Sequence, residues 1–355
     1  SVLVAGSVYV EGSLGHLLAG SFEDDLFVEG DVWGTVSVVR NLGSLHVGLE
    51  YVEETDEYVP TGAALMGSVK VGGDLGELHI SGSGDAAFVS VRGDLETVET
   101  VGDLDGVIQV GGYVDDAEIG GDLLAEFNVG ADLWYLDVAG NQSDDSALNV
   151  AGTAGDLEFG GDVSGELKFG SLDCELLIGG SLFGSIDVAG DAYEIGVGYT
   201  HDEENWEHVS TGGVLAGSIH VGGNLDELEL GGGSTAEAQV AVDGNLESFY
   251  SEGDVAGTIE IGGSVCEFDA WGELQAQLFV GGDLEFLIAG GQSAESVVTI
   301  GGWSGGMEFA GDVNGHISAA EIDYVLIDGC LNGTIEGVDP DDIIELCFNF
   351  GDDGE

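Results

Sequence analysis

The sequence predicts an all-β fold, a three-sided parallel β-solenoid. Three observations point there. Apolar and polar residues alternate at a spacing of two, Gly recurs every nine or ten residues, and long stretches repeat along the chain. Alternation at two makes short strands with one inward face, and Gly supplies the tight corners between them. Hydrophobic residues make up 43% of the 355, enough to fill a core, so the 69 acidic residues must lie outside.

The largest repeat has an offset of 150 residues. LMGSVKVGGDLGEL from Leu65 matches LAGSIHVGGNLDEL from Leu215, and GDVWGTVSV from Gly30 matches GSLFGSIDV from Gly180. LDVAGNQS from Leu136 matches FLIAGGQS from Phe286. On this reading residues 1–29 are a partial copy of a single solenoid domain, 30–179 and 180–329 are full copies, and 330–355 are a terminal coil and tail.

Within a copy, the turns at Gly223-Asn224, Gly253-Asp254, Gly282-Asp283 and Gly311-Asp312 are spaced 30, 29 and 29 residues apart. This spacing predicts about 12 coils of about 29–30 residues, starting near 2, 30, 64, 94, 121, 152, 180, 214, 244, 272, 302 and 330. A coil of that length exceeds the roughly 18 residues of three left-handed hexapeptides, which favours right-handed coiling. An aliphatic column follows the corner at Leu75, Leu104, Leu133, Val163, Ala192, Leu225, Val255, Leu284 and Val313, one residue per coil.

The pattern resembles the Gly/Asp-rich extracellular parallel β-helix proteins of prokaryotic surfaces and filaments, at the level of the fold. That resemblance implies adhesive, sheath or layer roles. It is neither the nonapeptide calcium-roll pattern nor a hexapeptide helix.

The formal net charge of −65 excludes nucleic acid, anionic membranes and polyuronates as partners. Arg40, Lys70, Arg92 and Lys168 are the whole basic inventory. No apolar run reaches the ~20 residues a membrane span needs, so no membrane insertion is expected. The opening at Ser1 without an initiator Met reads as a processed, exported form.

Cations are the expected counterpart, and calcium is the candidate cofactor because it prefers oxygen ligands. The corner acids Asp74, Asp103, Asp132, Asp162, Asp191, Asp254, Asp283 and Asp312, with Asn224 among them, form one predicted column. Their alternative role is to accept backbone N–H bonds in Asx turns. The stronger candidate metal cluster is Asp115, Asp116, Asp144, Asp145, Asp173 and Glu175, set at matching positions of three predicted coils.

Two insertions, residues 48–63 and 198–213, mix acids with aromatics (Tyr51, Tyr58, Tyr199, Trp206) and offer carbohydrate or protein contacts. His201 and His208 with Glu203 and Glu204 are a further, transition-metal candidate. Cys330 and Cys347 form a candidate disulfide, and Asn141 and Asn332 begin sequons. No HExxH or CxxC motif is present, so an enzyme is not expected; a polysaccharide-active β-helix enzyme is the third reading.

Val2, Val4, Val8 and Val10 open the chain as a strand without an amphipathic cap, which favours end-to-end stacking of copies. The expected function is a structural subunit of a secreted or cell-surface filament, sheath or layer, itself its own partner, with cation support. The rival is a monomeric cation-binding or adhesive module of a surface protein.

Overall fold

The computed structural model describes residues 3–4, 6–22, 24–52, 57–202 and 207–347. Contacts divide the chain into two compact units, Ser1–Leu176 and Leu177–Glu355, and the division falls close to the second full copy at residue 180. Each unit is a parallel β-solenoid, and the described residues make about 17 turns in all. Among them only Pro340–Asp342 is helical, as one 3₁₀ turn. No helix there is long and apolar enough to cross a membrane.

The coil is shorter than the sequence predicts. In the first unit a short side stacks Ser68–Val71, Phe88–Val91, Val107–Val110 and Glu126–Val129, in the register Val69↔Val89↔Ile108↔Phe127, or steps of 20, 19 and 19. In the second unit Ile219↔Val240↔Ile259↔Leu278 gives 21, 19 and 19. Many corners are Gly–Asx pairs, and successive corners lie about nine or ten residues apart, as Gly93-Asp94 and Gly102-Asp103 do. The predicted 29–30-residue coil counts three such segments, which is one and a half real coils. The prediction of 12 coils fails for this reason, and the length argument for right-handed coiling goes with it.

One coil comprises the four-residue short side, a six-residue long side such as Leu75–Ile80, and a corner held by a single bridge such as Leu104↔Leu123. The core consists of stacked inward columns. Leu42, Leu75, Leu95, Val114 and Leu133 form one on the long side, all at most 1% exposed. The predicted aliphatic column belongs to two places: Leu75, Leu133, Ala192, Leu225 and Leu284 start long sides, whereas Leu104, Val163, Val255 and Val313 fill bridge corners. All are buried, and each fully buried aliphatic side chain contributes about 1.5–3 kcal/mol.

Candidate functional site

The corner acids fall into two ladders, not one column. Asp74, Asp132, Asp191 and Asp283 precede long sides, while Asp103, Asp162, Asp254 and Asp312 precede bridge corners. In both ladders the side-chain oxygen accepts the backbone N–H one coil further on. Asp103 Oδ1 accepts from Asp122 (2.9 Å), Asp132 from Thr153 (2.8 Å), and Asp254 from Glu273 (2.8 Å). Asp74, Asp191, Asp283 and Asp312 accept from Asp94, Asn224, Trp303 and Cys330. Asn141 Oδ1 accepts from Asp162 N–H at 2.9 Å. The Asx-turn role is thus filled between coils rather than within one turn, and it gives these seven carboxylates a structural use.

The second predicted acid cluster is taken apart by the shorter coil. Asp115 and Asp116 lie on the long side Val114–Ile119, where Asp116 is in register with Thr97 and Tyr135. Asp144 and Asp145 form a turn after the bridge residue Gln142. Asp173 and Glu175 belong to the strand Glu166–Ile178.

A different carboxylate column does stack, on the outer face of the first unit's long side: Glu99↔Glu118↔Asp137↔Glu158, with His79 before it. His79 Nδ1 lies 2.8 Å from Glu99 Oε2. Burial raises the Glu118 carboxyl above the usual range, and Asp116, Glu99 and Asp137 add to it. The sequence carries this column at an offset of 19 to 21, which the 30-residue reading hides.

Both insertions fold as antiparallel hairpins, Leu49–Val52 with Glu57–Pro60 and Tyr199–Asp202 with Glu207–Ser210. They lengthen their coils to 33 residues, as the pairs Leu45↔Leu78 and Ile195↔Leu228 show. Each base is pinched by positive-φ glycines, Gly48 and Gly62 in one, Gly198 and Gly212 in the other. Thr61 and Thr211 tie the bases to the carbonyls of Glu29 and Gly179.

In the first unit Tyr58 of the returning arm stacks on His46 at 4.8 Å, and Phe27 stacks on the same ring at 4.3 Å. Tyr51 and Tyr58 are exposed, as predicted for contact residues. Tyr199 is not: it opens the second hairpin and is 4% exposed. Glu203, Glu204 and Trp206 lie outside the described residues.

The second hairpin brings together residues that the sequence does not associate. His208 Nδ1 lies 3.1 Å from both Glu194 Oε1 and Glu229 Oε2. Burial pushes the Glu229 carboxyl up; His208 opposes this, and Glu227 and Glu252 add to it. Only the register of two coils plus a folded-back hairpin places residues 194, 208 and 229 side by side. His201 faces His208 across the hairpin, ring centroids 5.8 Å apart.

Cys330 and Cys347 are joined in a disulfide with Cα atoms 4.7 Å apart, while Cys174 and Cys266 are free thiols. Both sequon amides are engaged in corner ladders, Asn141 with Asp122 and Asn332 with Asn314. Val2 lies outside the described residues, Val4 lies in Leu3–Val4, which pairs with Ser21–Phe22, and Val8 and Val10 lie in Val8–Val10. Comparison with family models, curated proteins and solved structures found no match to this chain, so what stands of the resemblance is the parallel β-solenoid itself.

Proposed function

We propose that this chain is a non-enzymatic structural protein of the cell exterior, which assembles with copies of itself by continuing the solenoid from coil to coil. The observation that carries this reading is an open parallel edge. The strand Val8–Val10 pairs with Asp25–Val28 and with no other strand among the described residues. Val10 C=O accepts the Glu29 N–H at 3.0 Å, so alternation turns the N–H and C=O of Tyr9 toward the unpaired side. Among the described residues Ile343–Glu345 is likewise paired on one edge only, by Val325–Ile327. Such edges template strand addition, and a head-to-tail contact grows open filaments unless the rotation closes it. The disulfide supports an oxidising, extracellular setting. The stacked column Glu99–Glu158 supports a need for cations.

The adhesive-module reading rests on the exposed Tyr51 and Tyr58 of the first hairpin. Sedimentation at high protein and salt concentration separates the two. Assembly is expected from the native chain and not from Tyr9→Pro, which removes the outward donor while leaving the inward ladder of Val8 and Val10 intact. A native chain that stays monomeric under these conditions leaves the adhesive module as the better reading.

A further inference from the structure

The outer face of the second unit holds a cluster that a purely structural role does not use. Glu194 comes from Ala192–Val197, His208 from the returning hairpin arm Glu207–Ser210, and Glu229 from Leu225–Leu230. One ligand atom from each lies within 4.8 Å of the others, and both His–Glu distances are 3.1 Å. A tetrahedral ion with bonds of 2.0–2.1 Å has its ligand atoms about 3.4 Å apart, so the two observed edges are nearly those of such a shell.

The two carboxylates are largely withdrawn from water, with side-chain exposures of 9% and 17%. No Lys or Arg occurs after Lys168, so the second unit has no permanent side-chain cation to offset them. One imidazole nitrogen faces both, and a single N–H cannot serve two acceptors fully.

A second observation points to an occupant. Tyr199 is buried, its hydroxyl has no hydrogen-bond partner, and its ring lies 6.4 Å from that of His208. Glu229 is the strongest charge acting on that phenol. A buried, unpartnered hydroxyl on the residue whose ring neighbours His208 is a place for an ion or for water bound to one.

We propose that Glu194, His208 and Glu229 form a site for one divalent transition-metal ion of the zinc class, with the Tyr199 hydroxyl toward its open position. Imidazole with two carboxylates suits such an ion, whereas calcium takes six to eight oxygens. The residues 150 positions earlier are Ser44, Tyr58 and His79, where Tyr58 stacks on His46 instead. The first unit therefore provides an internal control: the same backbone positions hold Ser and Tyr in a folded coil.

The test is titration of the full chain, stripped of metal and carrying Cys174→Ser and Cys266→Ser, with Zn2+ in excess Ca2+ to occupy surface carboxylates. One tight equivalent is expected. His208→Tyr and Glu229→Gln should each weaken it by at least about tenfold, while Asp144→Asn/Asp145→Asn leaves it unchanged. Circular dichroism checks that each variant is folded. Visible absorption of bound Co2+ should report a low-coordinate site in the parent chain and lose that signature in His208→Tyr. Equal Zn2+ affinity in parent and both variants, or no stoichiometric uptake by the parent, would overturn the proposal.

Discussion

Gly112 shows at one position why Gly and Asp travel together in this chain. A Cβ there would meet Asp94 Oδ1 at 1.9 Å, and that oxygen accepts the Tyr113 N–H at 3.2 Å. The glycine makes room for the carboxylate one coil back, so the pair is a between-coil device. Gly112→Ala is expected to destabilise the fold by about 1–3 kcal/mol in urea unfolding. Asp94→Ala should remove part of that cost in the double variant, because the clash partner is gone; additive effects would contradict the contact. His46 carries a second residue-scale prediction. Its pKa falls from 6.5 to about 4, through burial first and then the charge of His79, with Asp25 opposing. The unfolded chain takes up a proton near 6.5 that the folded ring refuses until about pH 4. Stability is therefore full above pH 6.5 and lost as pH falls toward 4, by roughly 3 kcal/mol. Asp116 and Glu118 act in the opposite sense, because their raised carboxyls protonate in the folded state first and stabilise it as pH falls. His46→Phe keeps the stack on Phe27 and Tyr58 and should remove the acid loss. An unchanged pH profile would show that His46 is not the group responsible.

At the scale of the element, the hairpins are additions to a coil that closes without them. Neighbouring coils repeat at 18 to 21 residues and the hairpin coils at 33, so excising residues 49–61 returns the first to 20. That variant should keep its strand circular dichroism and melt a few degrees lower, since buried Leu49 and the Tyr58 cover on His46 are lost. With its cover gone, His46 should also titrate closer to 6.5; a collapse of the strand signal would make the hairpin part of the fold instead. Much of this architecture is legible in the sequence. Period-two patterning and Gly corners specify parallel strands, and the matched insertions mark themselves by interrupting both copies at the same point. The coil length is not legible, because many corners of both kinds carry the same Gly–Asx chemistry and successive segments of nine or ten residues look alike. Counting them in threes joined Asp74 to Asp103, which lie in different ladders, and Asp116 to Asp144, which belong to a strand and a turn. Counted in twos, the same residues give the Glu99, Glu118, Asp137 and Glu158 column. Glu194, His208 and Glu229 could not be found either way, because a folded-back arm, not a period, brings His208 to the other two.

For the molecule as a whole, the question is how a chain with a net charge of −65 stays folded. The corner ladders answer for part of it, since each carboxylate that accepts a backbone N–H has a local dipole to offset its charge. The column from Glu99 to Glu158 instead sets four acids in register on successive coils, with His79 against Glu99 at its head. Carboxylates one coil apart, about 4.8 Å, repel by roughly 0.9 kcal/mol per pair in water and more beside a dry core. The counterions must come from solvent, and screening strengthens as the Debye length shrinks from about 30 Å at 0.01 M to about 3 Å at 1 M salt. The melting temperature should therefore rise steeply with NaCl across that range. Divalent ions should produce the same rise at lower concentration, and a chelator should lower stability at low salt but not at high salt. Glu99→Gln, Glu118→Gln, Asp137→Asn and Glu158→Gln together should flatten the salt dependence and raise the low-salt melting temperature. The corner variant Asp103→Asn, by contrast, keeps its acceptor oxygen and should change little. A melting temperature independent of salt in the parent chain would mean that repulsion between stacked acids does not limit this fold, and the case for cation support would fall with it.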